Sequence, residues 1–153
     1  MDHYHYVESG LDNVLIFGLR PEVDDAGEIT ITIPAIEELH RVISEGIVKR
    51  ESAMSGKELK FLRTEMGLTQ AELGALVHRD RQAVMAWERG PQSLDKNAEA
   101  IIRKHVIEAL SLDIDLEIAA LSKMVDRDPT GAEIQIERLG SNDNRTGAYR
   151  LAA

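Results

Sequence analysis

The chain has 153 residues, 43% of them hydrophobic, and carries 18 basic and 27 acidic side chains for a formal net charge of −9. That size and composition suit one ordinary domain, or a small domain with appendages, and exclude wholesale disorder. The absence of cysteine excludes a disulfide scaffold, a thiolate zinc finger and a cysteine nucleophile, and 4% aromatic residues leave no stacking platform for single strands. No apolar run approaches the roughly 20 residues that span a bilayer. The opening Met-Asp-His-Tyr-His lacks the basic and apolar regions of a signal peptide, so a soluble, cytoplasmic protein without a membrane partner is expected.

Residues 1–33 read as a small antiparallel meander. His3 to Glu8 alternates around Tyr4 and Tyr6, and Asn13 to Leu19 is an apolar run. Pro21 to Gly27 is an acidic turn, and Glu28 to Ile33 alternates with β-branched residues throughout. Pro34 suits the first turn of a helix, and Ile36, Leu39, Ile43 and Ile47 repeat at helical spacing to about Lys49. Glu51 to Met54 is a connector.

From Ser55 the punctuation becomes dense. Ser55 with Glu58, and Thr69 with Glu72, both have the spacing in which a hydroxyl accepts from the N–H three residues on while the glutamate reaches back. They start helices over Gly56 to Met66 and Gln70 to Val77, with Gly67 between them where a helix end favours positive φ. Asp80 caps a third helix that Gly90 and Pro91 end. Leu59, Leu62, Met66, Leu68, Leu73, Val77, Ala83, Val84 and Trp87 supply one shared apolar interior. The short His78 to Asp80 turn forces a steep crossing that leaves the outer face of the third helix uncovered. Trp87, related to Ala83 and Val84 by helical spacing, belongs to the core and not to a site.

A fourth helix, Asp95 to Leu110, has a core face of Ala98, Ile101, Ile102 and Ala109, with Val106, Ile107 and Leu110 left over for a dimer or interdomain contact. A last helix runs from about Asp113 to Asp126. Glu133 to Leu139 and Ala148 to Leu151 form a hairpin around the polar loop Ser141 to Gly147. The expected class is α+β. A helical unit at 55–110 is flanked by a β-meander and helix at 1–54 and by a helix and β-hairpin at 111–153.

Charge is divided along the same lines. Residues 55–104 hold nine basic and seven acidic side chains, and the remainder hold nine and twenty. An acidic periphery weakens indiscriminate phosphate binding while leaving a mildly basic centre free for a specific contact.

The residues Leu62-Arg63, Gly67-Leu68-Thr69-Gln70, Glu72-Leu73, Asp80-Arg81-Gln82-Ala83-Val84 and Trp87-Glu88-Arg89-Gly90 together resemble the helix-turn-helix domain of the Cro/C1-type (XRE) family of transcriptional regulators. With Asn97 to Arg103 the resemblance covers about a third of the chain. It implies that Asp80 to Arg89 enters the major groove of double-stranded DNA, with Arg81 and Gln82 reading base edges and Met85 and Ala86 meeting thymine methyls one turn on. It implies phosphate contacts from Gln70, with Arg79, Arg89, Ser93 and Lys96 as further partners, and an ion pair of Arg63 with Glu88 that orients the reading helix. A homodimer on a palindromic operator follows, because one reading helix covers only a half-site. Three positions depart from the pattern. His78 takes a slot usually held by glycine, Arg79 replaces an apolar residue and is expected to point outward toward the DNA, and Gly74 stands where alanine is commonest, at an expected cost of about 1 kcal/mol.

The segment Tyr4-x-Tyr6-x-Glu8-Ser9-Gly-Leu-Asp-Asn-Val14, followed by a helix and this unit, also looks like the layout of MqsA-type antitoxins. In that group an N-terminal zinc module uses paired cysteines; here Ser9 stands where one belongs. That resemblance keeps a second reading open, a module that neutralises a toxin partner and autoregulates its operon. No cofactor, metal or catalytic residue is expected. His3 and His5 share a strand face without a third ligand, His40 and His105 lie on apolar helix faces, and neither Asp24-Asp25 nor Glu37-Glu38 marks a shared pocket. The chain contains no G-x-S-x-G, phosphate-loop or H-E-x-x-H pattern.

Overall fold

The computed structural model describes residues 3–90, 93–126, 128–139 and 148–152. Pro91, Gln92 and the loop Ser141 to Gly147 lie outside them, so the helix-ending role given to Pro91 and the turn of the C-terminal hairpin do as well. The architecture is α+β. Among the described residues no helix is long and apolar enough to cross a membrane.

Four strands form the main sheet: β1 (His3–His5), β2 (Val14–Phe17), β5 (Ile134–Arg138) and β6 (Tyr149–Leu151), in the order β1-β2-β5-β6. β1 and β2 are antiparallel, as are β5 and β6. β2 and β5 run parallel, with Val14 beside Ile134 and Ile16 beside Ile136. The two ends of the chain therefore share one sheet. β3 (Pro21–Val23) and β4 (Ile29–Ile31) make a separate two-stranded sheet. This corrects the expected single meander. The segment taken as an acidic turn contains β3, and β4 pairs with it alone. Asp24 Oδ1 closes the arm by accepting from the amides of Ala26 at 2.9 Å and Glu28 at 2.8 Å, while Gly27 supplies a φ of 82°.

Helix α1 (Ile36–Lys49) lies on the main sheet through Leu39, Ile43 and Ile47. A Cβ at Gly46 would meet Ile134 and Leu151, both at 3.0 Å, which shows how closely α1 rests on β5 and β6. Pro34 is not in the helix: Ala35, at a φ of 52°, precedes the first turn, and the Tyr149 hydroxyl donates to the Pro34 carbonyl.

Helices α2 (Gly56–Glu65), α3 (Gln70–Leu76), α4 (Arg81–Arg89) and α5 (Lys96–Ala109) follow. Both capping boxes are complete: the Ser55 hydroxyl accepts from Glu58 N at 3.2 Å and the Thr69 hydroxyl from Glu72 N at 3.1 Å. Asp80 caps α4 by accepting from Ala83 N at 2.9 Å. Gly67 and Gly90 have positive φ, as does His78 at 59°, so histidine does take the left-handed turn position. α6 (Ile118–Met124) is shorter than expected and packs on α5; Asp113 and Asp115, both poor helix formers, stay outside it.

The face of α5 differs from the expected one. Ile101 and Ala109 are exposed, whereas Val106 and Ile107 are buried among the chain's own residues, so they provide no spare surface for a second copy. The helix also buries Arg103 and Glu99. The Arg103 guanidinium donates to the carbonyls of Val48 at 2.9 Å, Arg50 at 2.8 Å and Ser52, and to Glu99 Oε2 at 2.8 Å. The same carboxylate oxygen accepts from Met54 N at 3.0 Å. Burial pushes the Glu99 carboxyl above its ordinary value of 4.5 despite the neighbouring Arg103 charge. The connector 50–54 is thus wrapped around one arginine. Beside it Glu58, buried at the start of α2, accepts from Asn13 Nδ2 at 3.1 Å, Arg50 Nη1 at 3.0 Å and Ser55 N at 2.8 Å.

Candidate nucleic-acid interface

α4 has two unlike faces. Ala83, Val84 and Trp87 are buried against the neighbouring helices, while Arg81, Gln82 and Arg89 are exposed and Met85 and Ala86 are half-buried. The exposed face begins at the cap, so Arg81 and Gln82 stand exposed at the leading end of the helix.

The turn between α3 and α4 is tight because Gly74 lets it be. Arg79 N donates to the Gly74 carbonyl at 2.9 Å, and a Cβ on Gly74 would sit 2.6 Å from the Arg79 carbonyl oxygen. Glycine here admits the turn, and alanine would push α4 away from α3. A small residue here therefore permits the close approach of helices, and that offsets the expected cost of glycine in helix stability. Gly56 plays a matching part at the other end of α4, where the carbonyls of Trp87 and Glu88 close over it.

Arg63 of α2 and Glu88 of α4 are paired through two nitrogens, Nε to Oε2 at 2.6 Å and Nη2 to Oε1 at 3.1 Å. Arg63 Nη1 also donates to the Leu68 carbonyl at 2.9 Å. A bidentate, largely buried pair of this kind fixes the rotation of α4 about its own axis as well as its distance from α2. Gln70 joins the same cluster, its Nε2 donating to Glu88 Oε1 at 3.0 Å. One of its two amide hydrogens is thus held within the protein, which makes Gln70 a brace between the start of α3 and α4.

Lys60, Arg63, Thr69, Gln70, Ala71, Arg81 and Glu88 line a shallow depression of about 450 Å³ between α2, α3 and the leading end of α4. With Arg63 and Glu88 paired to each other, the charges left facing it are those of Lys60 and Arg81. Lys60 escaped the sequence reading, although its place one turn before Arg63 on α2 was enough to find it.

The other expected phosphate ligands are not gathered at this depression. Arg79 is drawn back toward α5: its guanidinium lies over the Trp87 ring at 5.1 Å and 3.9 Å from Asp95. It is exposed, as expected of a residue pointing outward, but the indole and the α5 cap incline it to that side. Ser93 and Lys96 line a different recess beside Ser55, Gly56 and Trp87, and the Lys96 ammonium donates to the Asp126 carbonyl at 3.4 Å. Arg89 is exposed at the far end of α4. Among the described residues, no three histidine or acidic side chains are grouped to hold a metal ion.

No family model, no characterised protein and no solved structure matches the chain.

Proposed function

We propose that the chain is a sequence-specific regulator of the Cro/C1 helix-turn-helix type that binds double-stranded DNA and acts as a dimeric repressor on a palindromic operator. The observation that carries this reading is the pairing of an uncovered Arg81 and Gln82 at the leading end of α4 with a fully packed opposite face. A guanidinium donates two hydrogen bonds to guanine O6 and N7, and a carboxamide pairs with adenine N6 and N7; both require a helix end that enters the major groove unobstructed. Lys60 and Arg81 place positive charge beside that end, as phosphate contact on the flank of the groove requires. The Arg63–Glu88 pair holds the angle at which α4 presents itself.

The test is selection of bound duplexes from a random library, followed by fluorescence anisotropy on the selected site at two salt concentrations. Arg81→Ala and Gln82→Ala should each lower affinity for the selected site by about 1–3 kcal/mol and relax preference at one base position. Lys60→Ala should weaken selected and random duplexes alike and flatten the salt dependence. Unchanged affinity and preference in both α4 variants would defeat the assignment.

A further inference from the structure

The least covered part of the fold is the β3–β4 arm. Val23 is 70% exposed, Ile29 73% and Ile31 44%, and Ile36 at the start of α1 is 42% exposed. The register sets Val23 opposite Ile29 and Pro21 opposite Ile31, so these side chains share one face. Glu22 lies opposite Thr30, and strand alternation puts Glu28 and Thr32 on that second face. Among the described residues β3 and β4 pair only with each other, so each keeps one unpaired edge. A lone two-stranded ribbon is marginal in water, and an open edge is a template for another strand. The surroundings are strongly acidic: from residue 20 to 38, Arg20 stands against Glu22, Asp24, Asp25, Glu28, Glu37 and Glu38.

We propose that this arm is a docking edge for a protein partner that adds an extended strand of alternating apolar and basic residues. In that pairing the strand joins the open edge of β3: its apolar side chains extend the face that carries Val23, Ile29 and Ile31, while a lysine or arginine meets Glu22 across the ladder. A second copy of the chain fits poorly. An antiparallel pair of β3 with its own equivalent, centred on Glu22, would bring that carboxylate against itself, and like charges directly opposite each other destabilise a strand pair. Its β5 is already enclosed between β2 and β6. Nucleic acid is repelled by the same acidic surroundings. The proposal is independent of the DNA-reading assignment, since it concerns a different element and a different kind of partner.

The probe is a fluorescent eight-residue peptide of alternating lysine and valine, titrated into the full chain. The controls are its block isomer with all lysines first, an alternating glutamate–valine peptide, and the alternating lysine peptide with one central valine replaced by proline. The alternating lysine peptide should bind about tenfold more tightly than any control, and amide NMR shifts should concentrate between Pro21 and Ile31. The double variant Val23→Thr/Ile29→Thr should weaken it about tenfold, as should Glu22→Lys. Threonine keeps β-branching at two exposed positions, and an unchanged circular dichroism spectrum confirms that the fold persists. Equal binding of the block isomer, or binding indifferent to these substitutions, overturns the proposal. So does loss of a dimer in sedimentation when the double threonine change is made, which would identify the arm as a contact between copies.

Discussion

Gly56 opens α2 directly beneath the last turn of α4, and replacing it with alanine tests how α4 is held. A Cβ there would lie within 3.0 Å of three backbone atoms: the Trp87 carbonyl oxygen, the Glu88 carbonyl oxygen at 2.6 Å and the Glu88 carbonyl carbon at 2.9 Å. Ordinary contacts begin at 3.4 Å, so the helix end must retreat by about 0.8 Å or more. Backbone atoms cannot rotate aside as a side chain would. Overpacking of this kind costs about 1–3 kcal/mol, and the preference of helices for alanine, about 1 kcal/mol in a helix interior, is only partly realised at the first position. The net expectation for Gly56→Ala is a loss of about 2 kcal/mol, or a fall in Tm of about 4–8 °C for a chain of this size. Because Glu88 moves with the helix end, the Arg63 pair should loosen and DNA affinity should drop even at temperatures where the variant is fully folded. Gly67→Ala is the comparison: its Cβ would meet nothing within 4 Å, so it suffers only the strain of a φ of 72° and should leave DNA affinity alone. Thermal melts followed by circular dichroism, with anisotropy at low temperature, read both quantities. A Gly56→Ala protein that melts at or above the parent would refute the packing argument.

The Arg63–Glu88 pair should behave as a unit. Its side chains are 14% and 5% exposed, so Glu88→Met alone should cost about 3 kcal/mol by stranding the guanidinium, whereas Arg63→Met/Glu88→Met should cost less than the two single changes together. Urea unfolding of the four proteins measures this, and strict additivity would contradict it. Glu72 offers a pH test. The Thr69 backbone amide, then its hydroxyl, hold the Glu72 carboxyl below its ordinary value of 4.5. A carboxyl with a lowered folded-state value adds stability that is complete above 4.5 and is lost as pH falls through the folded value. The stability difference between the parent and Glu72→Gln should therefore shrink as pH is lowered below 4.5; a difference that stays constant down to the acid limb counts against the capping role.

What the sequence announced clearly was local. Ser55 with Glu58, Thr69 with Glu72, Asp80 and Gly67 each act within one turn of the chain, and the limits of α2, α3 and α4 followed from them. Hidden were the relations between distant segments. Val14 and Ile134 lie side by side in a parallel pair, yet nothing in either run names the other. The alternation of Ile29, Thr30 and Ile31 reported a strand correctly but carried no information on whether anything covers it. Nothing in the sequence singled out Arg103, because its partners besides Glu99 are backbone carbonyls between Val48 and Ser52, and a backbone carbonyl leaves no mark in the sequence. In α5, helical periodicity identified an apolar surface broader than one face, and only the placement of α1 and α6 decided that Val106 and Ile107 turn inward and Ile101 outward. Gly74 shows the same limit from the opposite side: its propensity cost is legible, while the approach of the Arg79 carbonyl that makes glycine necessary is not.

These contacts also bear on whether docking at the arm would change the aim of α4. A path of touching groups does run from the sheet to α4: Asn13 bonds Glu58 at the start of α2, α2 carries Arg63, and Arg63 holds Glu88. For such a path to transmit a signal it must have a second arrangement of similar energy. Glu58 has none in view. Its carboxylate is filled by Arg50, Asn13 and the Ser55 amide, all buried or nearly so, and displacing any of them strands a charged group away from water at a cost of several kcal/mol. The arm, by contrast, has strands that pair only with each other among the described residues, and it joins the rest of the fold through Leu19 and Ile33, which lie against the core. A strand added at its edge would gain too little to break the Glu58 cluster. Partner docking and DNA reading should then proceed side by side, each leaving the affinity of the other unchanged.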